Sequence, residues 1–316
     1  PHVRRFPGAS LVGVCTGNGL NAKNVARSFG FQFATTDANE ILVKPDIGTV
    51  FVTARHNLHT PFVVGALNTG KNVFVEKPLC VTSDELKEIQ AAYNKVNSSK
   101  SSSRNPHSVV VMVGFNRRFS PHAQQVKRFF EDAVGPYAIQ YRVNAGYLPA
   151  THWTRDPVEG GGRIIGEVCH FVDFMQFITG SVPVKVYAEG LSKSGGGVKD
   201  DDSAAVTISF DDGSVGVVSY LANGDTSVPK ELIEISSTNR TAVVENFQKL
   251  ILFQRGKRRE FKLSAIDKGH KEEMRQFLVA ARDGKPSPIS FESAVVTTLT
   301  TFKIVESLKS GKPVVV

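Results

Sequence analysis

An apolar run that ends abruptly on an acid, a base and a proline constrains the fold of this chain more than any other feature. Residues 72–75 have the sequence NVFV and are followed by Glu76, Lys77 and Pro78. A short Val/Phe run stopped by proline predicts a strand that is buried on both faces, as in a parallel sheet. Ligands bind at the carboxyl ends of the strands in open α/β sheets, so Glu76 and Lys77 are predicted to face a ligand. The alternative is that the charged pair only solvates the strand end.

Length and charge limit the classes of protein to which the chain can belong. With 316 residues, 41% of them hydrophobic, the chain is predicted to form two domains with separate cores. No apolar run approaches the roughly 20 residues of a membrane span, so no membrane partner is expected. The net charge of +8 suits nucleic acid or acidic ligands. The basic residues are scattered, however, and the one dense run, residues 257–259, follows Gly256, where a solvated turn is expected. No nucleic-acid partner is therefore predicted.

Cysteine usage predicts a reducing compartment. Cys15, Cys80 and Cys169 are odd in number and widely spaced, which suits reduced core thiols in the cytoplasm better than disulfides or a zinc site. His56 and His59 are close in sequence, but no carboxylate or cysteine completes a shell around them, so no metal site is predicted. No signal peptide is visible, and because the chain begins with Pro1 we expect its true start to lie upstream.

A second stretch carries glycines, a histidine and an aspartate in a helical pattern. Residues 160–173 read GGGRIIGEVCHFVD, and Gly166, His170 and Asp173 have the spacing of one face of an α-helix. Together with Glu76-Lys77-Pro78, this stretch resembles the glucose-fructose oxidoreductase and inositol dehydrogenase (Gfo/Idh/MocA) family. Members of that family carry Glu-Lys-Pro after a Rossmann strand and a glycine-led helix with His and Asp. The resemblance covers nearly the whole chain.

The resemblance implies an NAD- or NADP-dependent oxidoreductase that acts on a sugar, a cyclitol or a related secondary alcohol. It implies an α/β fold in which residues 1–120 form a Rossmann-like domain with a parallel sheet. Residues 121–316 would form an α+β domain with a large, mostly antiparallel sheet, which binds substrate and makes a homo-oligomer. Two rival functions stay open: a relative that uses the cofactor to cleave glycosides, and a binding or regulatory module without catalysis.

The predicted catalytic residues are Lys77, His170 and Glu167. In the resembling enzymes the lysine of Glu-Lys-Pro and the histidine of the helix share proton transfer with an aspartate four residues before the histidine. Here that position is Gly166, and the nearest carboxylate is Glu167. Glu167 either pairs with His170 and holds its tautomer or is a structural partner. Asp173 is expected to anchor the helix.

A dinucleotide fingerprint near the N-terminus is predicted to be coincidental. Residues 17–22 read GNGLNA, which matches G-x-G-x-x-A, and Asp37 lies twenty positions after Gly17. By the family's spacing to Glu76, however, the true fingerprint lies one βα unit earlier, so the first Rossmann βα unit would be missing from this chain. Thr16, Gly17 and Asn18 would then occupy the ribose-facing position. Thr16 carries no charge, which leaves NAD and NADP both possible.

The other predicted cofactor contacts follow the strands of the Rossmann-like domain. They are Thr53, Ala54, Arg55, Asn57, His59, Glu76, Lys77 and Arg117. Asn57 and His59 are compared with an asparagine and a histidine that the family places beside the cofactor; alternatively, the histidines are polar loop residues or a helix cap. Arg117 and Arg118 would clamp a carboxylate or phosphate, or form salt bridges between the domains.

Secondary structure is predicted from hydrophobic periodicity and from turn residues. In the first domain we expect strands at 10–15, 46–54, 72–75 and 109–114, helices at 21–29, 61–67 and 84–96, and a mobile loop at 97–107. In the second we expect strands at 138–145, 184–189, 204–210, 214–221, 232–236, 241–245 and 249–254, and helices at 163–179, 268–283 and 292–309. The helix at 163–179 would cross one face of the sheet. The other face would be too apolar for a monomer.

Overall fold

The computed structural model describes residues 2–100, 108–191 and 200–316. These residues form two compact units. The parallel-sheet unit comprises residues 1–80, 84–114 and 271–291, and the antiparallel-sheet unit comprises residues 81–83, 115–270 and 292–316, as far as these ranges are described. The α/β class that the sequence predicts, with one parallel and one mostly antiparallel sheet region, is confirmed.

The first half of the chain alternates short strands with helices. Its elements are β1 (Gly13–Cys15), α1 (Gly19–Phe29), β2 (Phe33–Thr35), α2 (Asn39–Leu42), β3 (Thr49–Val52), α3 (His59–Asn68), β4 (Asn72–Val75), α4 (Ser83–Lys100) and β5 (Val111–Val113). β2 and α2 were not predicted, because segments of three and four residues carry too little periodicity to stand out. The loop predicted at 97–107 is wrong for residues 97–100, which belong to α4, and the rest of it lies outside the described residues.

The second half is dominated by strands. Its elements are α5 (Pro121–Phe129), β6 (Ala138–Asn144), α6 (Cys169–Thr179), β7 (Pro183–Leu191), β8 (Asp200–Phe210), β9 (Val215–Leu221), β10 (Glu231–Ser237), β11 (Arg240–Glu245), β12 (Lys249–Gln254), β13 (Lys257–Lys262), α7 (His270–Asp283), α8 (Phe291–Ser310) and β14 (Val314–Val315). All seven predicted strands are present, and β13 and β14 are additional.

The parallel-sheet unit contains two separate parallel sheets. β1 pairs with β2, while β3, β4 and β5 pair in that order. β4 is the central strand of its sheet, and Val73, Phe74 and Val75 are fully buried. The prediction of a strand buried on both faces is confirmed.

The pairing order of these strands distinguishes two registers of the doubly wound fold. In the order 3-2-1-4-5-6 the first strand lies between the second and the fourth. If β1 were the first strand, β4 would pair with it, but β4 pairs with β3 and β5. The pairing instead fits if β1 and β2 are the second and third strands of the fold and β3, β4 and β5 are its fourth, fifth and sixth. This order supports the register in which residues 17–22 are not the dinucleotide fingerprint.

The parallel-sheet unit also takes up a helix from the C-terminal part of the chain. The sequence assigns everything after residue 120 to the second domain, but residues 271–291 belong to the parallel-sheet unit. The cause is hydrophobic packing: the ring of Phe277 on α7 lies 5.5 Å from the ring of Phe51 and 5.4 Å from that of Phe74.

The antiparallel-sheet unit is built on nine strands among the described residues. Their order is β13-β12-β11-β10-β6-β9-β8-β7-β14, and only β6 and β9 pair in parallel. α6 packs on one face through Phe171 and Phe174, whose rings lie 4.7 and 5.6 Å from the ring of Tyr141 on β6. The prediction that this helix crosses the sheet is confirmed.

The basic run at residues 257–259 does not form a turn. Arg255 and Gly256 have φ values of 52° and 69° and make a two-residue hairpin turn of their own. Lys257 therefore pairs directly with Gln254, and the basic run lies in β13, an exposed edge strand. The prediction that the basic run lies in the turn is wrong, because the turn is complete at Gly256. Lysine and arginine side chains on an edge strand oppose its pairing with a strand of another molecule.

The helix predicted over residues 163–179 begins with a different geometry. Ile164–Val168 is a turn of π-helix, and the α-helix starts only at Cys169. Hydrogen bonds in a π-helix span five residues rather than four, so α-helical spacing does not describe which side chains align there. The α-helical spacing that would align Gly166 with His170 therefore does not hold over Ile164–Val168, whereas His170 and Asp173 both lie on α6.

Across the described ranges, no helix combines the length and the apolar character that crossing a membrane would require.

Candidate active site

Glu76 and Lys77 follow β4 directly, at the carboxyl end of the central strand. The amide of Glu76 donates to the carbonyl of Val52 at 2.9 Å and so extends the pairing with β3 by one residue. Burial raises the pKa of Glu76, and the charge of Lys77 partly opposes that shift. A Cβ atom at Gly114, just after β5, would come within 3.0 Å of Glu76 Oε2. Glycine at this position therefore leaves room for the carboxylate.

The loop after β3 carries five of the predicted cofactor residues. Thr53 and Arg55 are exposed, and Ala54 is half-buried. A 3₁₀ turn then leads into α3 and contains Asn57. The Oδ1 atom of Asn57 is buried, and no hydrogen-bond partner for it exists among the described residues. A buried acceptor left open at the carboxyl edge of the sheet fits a ligand that donates hydrogen bonds.

His59 connects the loops that follow β3 and β4. Its ring is fully buried, with Nδ1 2.7 Å from the carbonyl oxygen of Pro78 and Nε2 3.1 Å from that of Ala54. Burial lowers the pKa of His59; the two carbonyl contacts oppose this shift and the charge of Lys77 adds to it. A fully buried ring with a backbone carbonyl oxygen near each nitrogen does not fit the alternative that His59 is only a polar loop residue.

The N-terminus of α1 is already capped by the protein itself. Asn18 Oδ1 accepts hydrogen bonds from the amides of Leu20 at 2.9 Å and Asn21 at 3.3 Å. Asp37, the acid that completes the apparent fingerprint, accepts a hydrogen bond from the amide of Asn39 at the start of α2. A pyrophosphate would need those helix amides. The contacts therefore support a coincidental match and leave Thr16, Gly17 and Asn18 at the carboxyl end of β1.

The glycine run before the π-helical turn serves the packing of the chain itself. A Cβ atom at Gly160 would lie 2.5 Å from the backbone of Thr154, and Gly161 and Gly162 have φ values of 72° and 81°. Only glycine adopts this combination without strain. The close approach at Gly160 is to the backbone of residues 153 and 154.

Glu167 is held by a cluster of donors within the antiparallel-sheet unit. Its Oε2 accepts a hydrogen bond from the hydroxyl of Tyr220, and its Oε1 lies 3.2 Å from Lys230 Nζ. Arg163 Nη2 lies 3.5 Å from Oε2. Burial raises the pKa of Tyr220, and the Glu167 charge raises it further, so the phenol stays a donor. The predicted hydrogen bond between Glu167 and His170 stays a prediction.

His170 is a buried residue of α6. Its ring packs edge-on to Phe115, with 6.2 Å between the centroids, and 6.4 Å from the ring of Phe171. Three residues on, Asp173 is fully buried and accepts hydrogen bonds from the guanidinium of Arg118, one of them at 2.9 Å. The prediction that Asp173 anchors the helix is confirmed.

Arg117 lies in a buried ionic cluster. Its Nε and Nη2 donate to the two carboxylate oxygens of Glu231 at 2.7 and 3.0 Å. Lys268 Nζ and the hydroxyl of Tyr141 also donate to Glu231. Because the guanidinium edge is already occupied, the contacts favour a structural role, and a cofactor contact from Arg117 stays a prediction.

Sequence reasoning missed the partners of Glu167 and Arg117. Tyr220 and Glu231 lie on strands, at buried positions that alternate with half-buried or exposed residues and therefore face inward. An acid at an inward position signals a buried partner, but the spacing cannot reveal that the partner of Glu231 is 114 residues away.

No group of three or more His, Cys, Asp or Glu side chains in the described part of the chain is arranged to hold a metal ion.

Comparison with known proteins identifies the family. A model described as "Oxidoreductase family, NAD-binding Rossmann fold" matches residues 1–101, and a model of the GFO/IDH/MocA C-terminal domain matches residues 135–243. The chain belongs to the Gfo/Idh/MocA family. It is therefore an oxidoreductase with an NAD-binding Rossmann domain, as the resemblance implies.

Individual relatives of this Gfo/Idh/MocA protein are distant but match along almost the whole chain. It is 24% identical to the uncharacterized oxidoreductase YrbE of Bacillus subtilis, over 99% of this chain and 91% of the relative. It is 26% identical to scyllo-inositol 2-dehydrogenase (NAD(+)) of the same organism, over 99% and 90%. Among solved structures, levoglucosan dehydrogenase in complex with NADH and levoglucosan has a TM-score of 0.83 and 24% identity, covering 97% of this chain and 90% of that one. This likeness shows the shared fold.

Proposed function

We propose that this protein catalyses the oxidation of a secondary alcohol of a sugar or cyclitol, with NAD or NADP as hydride acceptor. The observation that carries the proposal is the position of Lys77, a half-buried lysine directly after the buried central strand β4. Support for the substrate class comes from relatives named for inositol and levoglucosan.

The cofactor fits the carboxyl edge of the parallel-sheet unit. We assign its contacts to Thr16, Gly17 and Asn18 after β1, to residues 53–57 after β3, and to Glu76 and Lys77 after β4. The open acceptor of Asn57 supports this assignment. Residues 16–18 carry neither an acid nor a base, so neither cofactor is disfavoured by charge there. When bound, the nicotinamide supplies the hydride acceptor.

Proton transfer is assigned to Lys77. Removal of a hydride from an alcohol carbon requires that the hydroxyl proton go to a base. In its amine form Lys77 accepts that proton on Nζ, and it returns the proton when the reaction runs in reverse. His170 is proposed as the second proton-transfer group, and Glu167 as the charge that favours its protonated form.

Two accompanying proposals complete the assignment. We place the enzyme in the cytoplasm because Cys15, Cys80 and Cys169 are all free thiols, which suits a reducing compartment. We also propose that it works as a homo-oligomer through the outer face of the nine-stranded sheet.

The proposed function is tested with purified protein, each cofactor and a panel of sugars, cyclitols and simple alcohols. Formation of reduced nicotinamide with a polyhydroxylated substrate supports the proposal, and mass spectrometry of copurified ligand narrows the choice of substrate. A protein that binds neither cofactor, or that cleaves glycosides without net nicotinamide reduction, would contradict it.

A further inference from the structure

Both ring nitrogens of His59 contact backbone carbonyl oxygens. Those carbonyls belong to loops at the ends of two adjacent strands. Ala54 follows β3 by two residues and Pro78 follows β4 by three, and the last residues of the two strands, Val52 and Val75, pair in register. The imidazole therefore bridges the loop assigned to the cofactor and the turn that carries Lys77.

We propose that His59 is a positioning residue, which acts on the reaction through the backbone of the Glu76-Lys77-Pro78 turn. This inference rests on the proposed role of Lys77. Nζ of a lysine is separated from its backbone by a flexible stem, so a fixed backbone is needed to deliver it to one place. The carbonyl of Pro78 lies one residue beyond Lys77, and its 2.7 Å contact with Nδ1 fixes that turn.

The chemistry of the ring makes the two contacts unequal. A carbonyl only accepts hydrogen bonds, and a neutral imidazole has a single N–H. Burial favours the neutral ring. The shorter contact, to Pro78, assigns the proton to Nδ1. Nε2 then has no proton to donate, so its 3.1 Å contact with the Ala54 carbonyl oxygen is not a hydrogen bond.

Two substitutions separate the roles of the two ring nitrogens. The amide nitrogen of His59→Asn replaces Nδ1 and can still donate to Pro78, whereas that of His59→Gln replaces Nε2 and can still donate to Ala54. We expect His59→Gln to lower kcat by roughly 10-fold or more, with little change in cofactor affinity. We expect His59→Asn, which keeps the donor to Pro78, to keep most of kcat and of the cofactor affinity.

The control is His122→Gln, which removes an imidazole that is only 2% exposed, in the antiparallel-sheet unit. It should leave both parameters unchanged. A uniform loss of kcat and cofactor affinity in both His59 variants, in proportion to their fall in Tm, would show a merely structural role and overturn the inference.

A measurement on the unmodified protein covers the case in which the variants fail to fold. NMR of histidine-labelled protein should show a neutral His59 ring with its proton on Nδ1, and a proton on Nε2 would overturn the inference.

The proposed function is tested separately. If Lys77→Met is inactive while His59→Gln keeps full kcat, only the role of His59 fails; if Lys77→Met keeps full turnover, the proposed role of Lys77 fails.

Discussion

Glu231 shows how much of this structure depends on one buried charge. Its side chain is fully buried and accepts hydrogen bonds from Arg117, Lys268 and Tyr141. These partners come from the start of the antiparallel-sheet unit, the segment before α7, and β6. The carboxylate thus joins three segments that are far apart in sequence.

We expect Glu231→Gln to destabilise the protein by roughly 3–5 kcal/mol, because it leaves Arg117 and Lys268 without a buried counter-charge. Urea denaturation measures this change. The control is Glu234→Gln on the same strand, which is exposed and should change stability by less than about 0.5 kcal/mol. Equal effects of the two substitutions would contradict the assigned role of Glu231.

The same carboxylate predicts a pH dependence. Burial raises the pKa of Glu231, but the charges of Arg117 and Lys268 outweigh burial and hold it at about 2. Because this folded value lies below the usual glutamate pKa of about 4.3, the contribution to stability is fully present above that pH. It is lost as the pH falls toward 2. The Glu231→Gln variant should therefore lose less stability than the wild type between pH 4 and pH 2.

Glu167 is the nearest carboxylate to the position where the resembling enzymes have an aspartate and this chain has Gly166. Tyr220, Lys230 and Arg163 hold its carboxylate in place. If the charge assists His170, Glu167→Gln should lower kcat more than it raises KM, and Gly166→Asp should add little. A silent Glu167→Gln together with a more active Gly166→Asp would show that Glu167 only supports the fold. A fall in activity that tracks Tm would show the same.

At the level of elements, the dinucleotide-binding motif at the start of α1 does not agree with the contacts that the structure shows there. Residues 17–22 satisfy the fingerprint, yet Asn18 caps the helix and Asp37 accepts a hydrogen bond from the amide of Asn39. A Cβ atom at Gly19 would meet only Thr36 Cγ2, at 3.7 Å. The position therefore has room for a side chain in the protein alone.

We expect Gly19→Ala to leave the Kd for either cofactor unchanged and to stabilise the helix by about 0.5 kcal/mol. Calorimetric titration and thermal unfolding measure these two quantities. In a true fingerprint the backbone approaches the pyrophosphate closely at this glycine. A tenfold or greater rise in Kd would place the pyrophosphate there and show that the register is wrong by one βα unit.

Elements with a local signal were predicted well, and elements that depend on geometry or on distant partners were not. β4 and its charged end followed from an apolar run stopped by a proline. The π-helical turn at 164–168 was missed because side-chain spacing does not separate five-residue from four-residue hydrogen bonds. The basic run at 257–259 was misplaced because the turn needed only Arg255 and Gly256.

At the scale of the whole molecule, the sequence predicted two domains but not the path of the chain between the compact units. Residues 271–291 belong to the parallel-sheet unit because Phe277 packs on β3 and β4. Hydrophobic periodicity predicted the helix over residues 268–283. It did not reveal the unit to which this helix belongs, because the contacts of Phe277 are with residues more than 200 positions away in the sequence.

The outer face of the nine-stranded sheet carries the proposal of a homo-oligomer. Val215, Leu232 and Phe253 lie on three of its strands and are 41, 36 and 37% exposed. Light scattering at micromolar concentration should give a multiple of the 34.4 kDa chain mass. The double substitution Leu232→Lys and Phe253→Lys should shift the mass toward the monomer. A monomer mass for the wild-type protein would count against this interface.

Steady-state kinetics of Lys77→Met tests the central claim most directly. Methionine keeps the length of the side chain but cannot exchange a proton, so turnover with any accepted sugar or cyclitol should fall by roughly 100-fold or more. Tm and the cofactor Kd should stay close to those of the wild type. Unchanged turnover in a folded, cofactor-binding Lys77→Met protein would contradict the account.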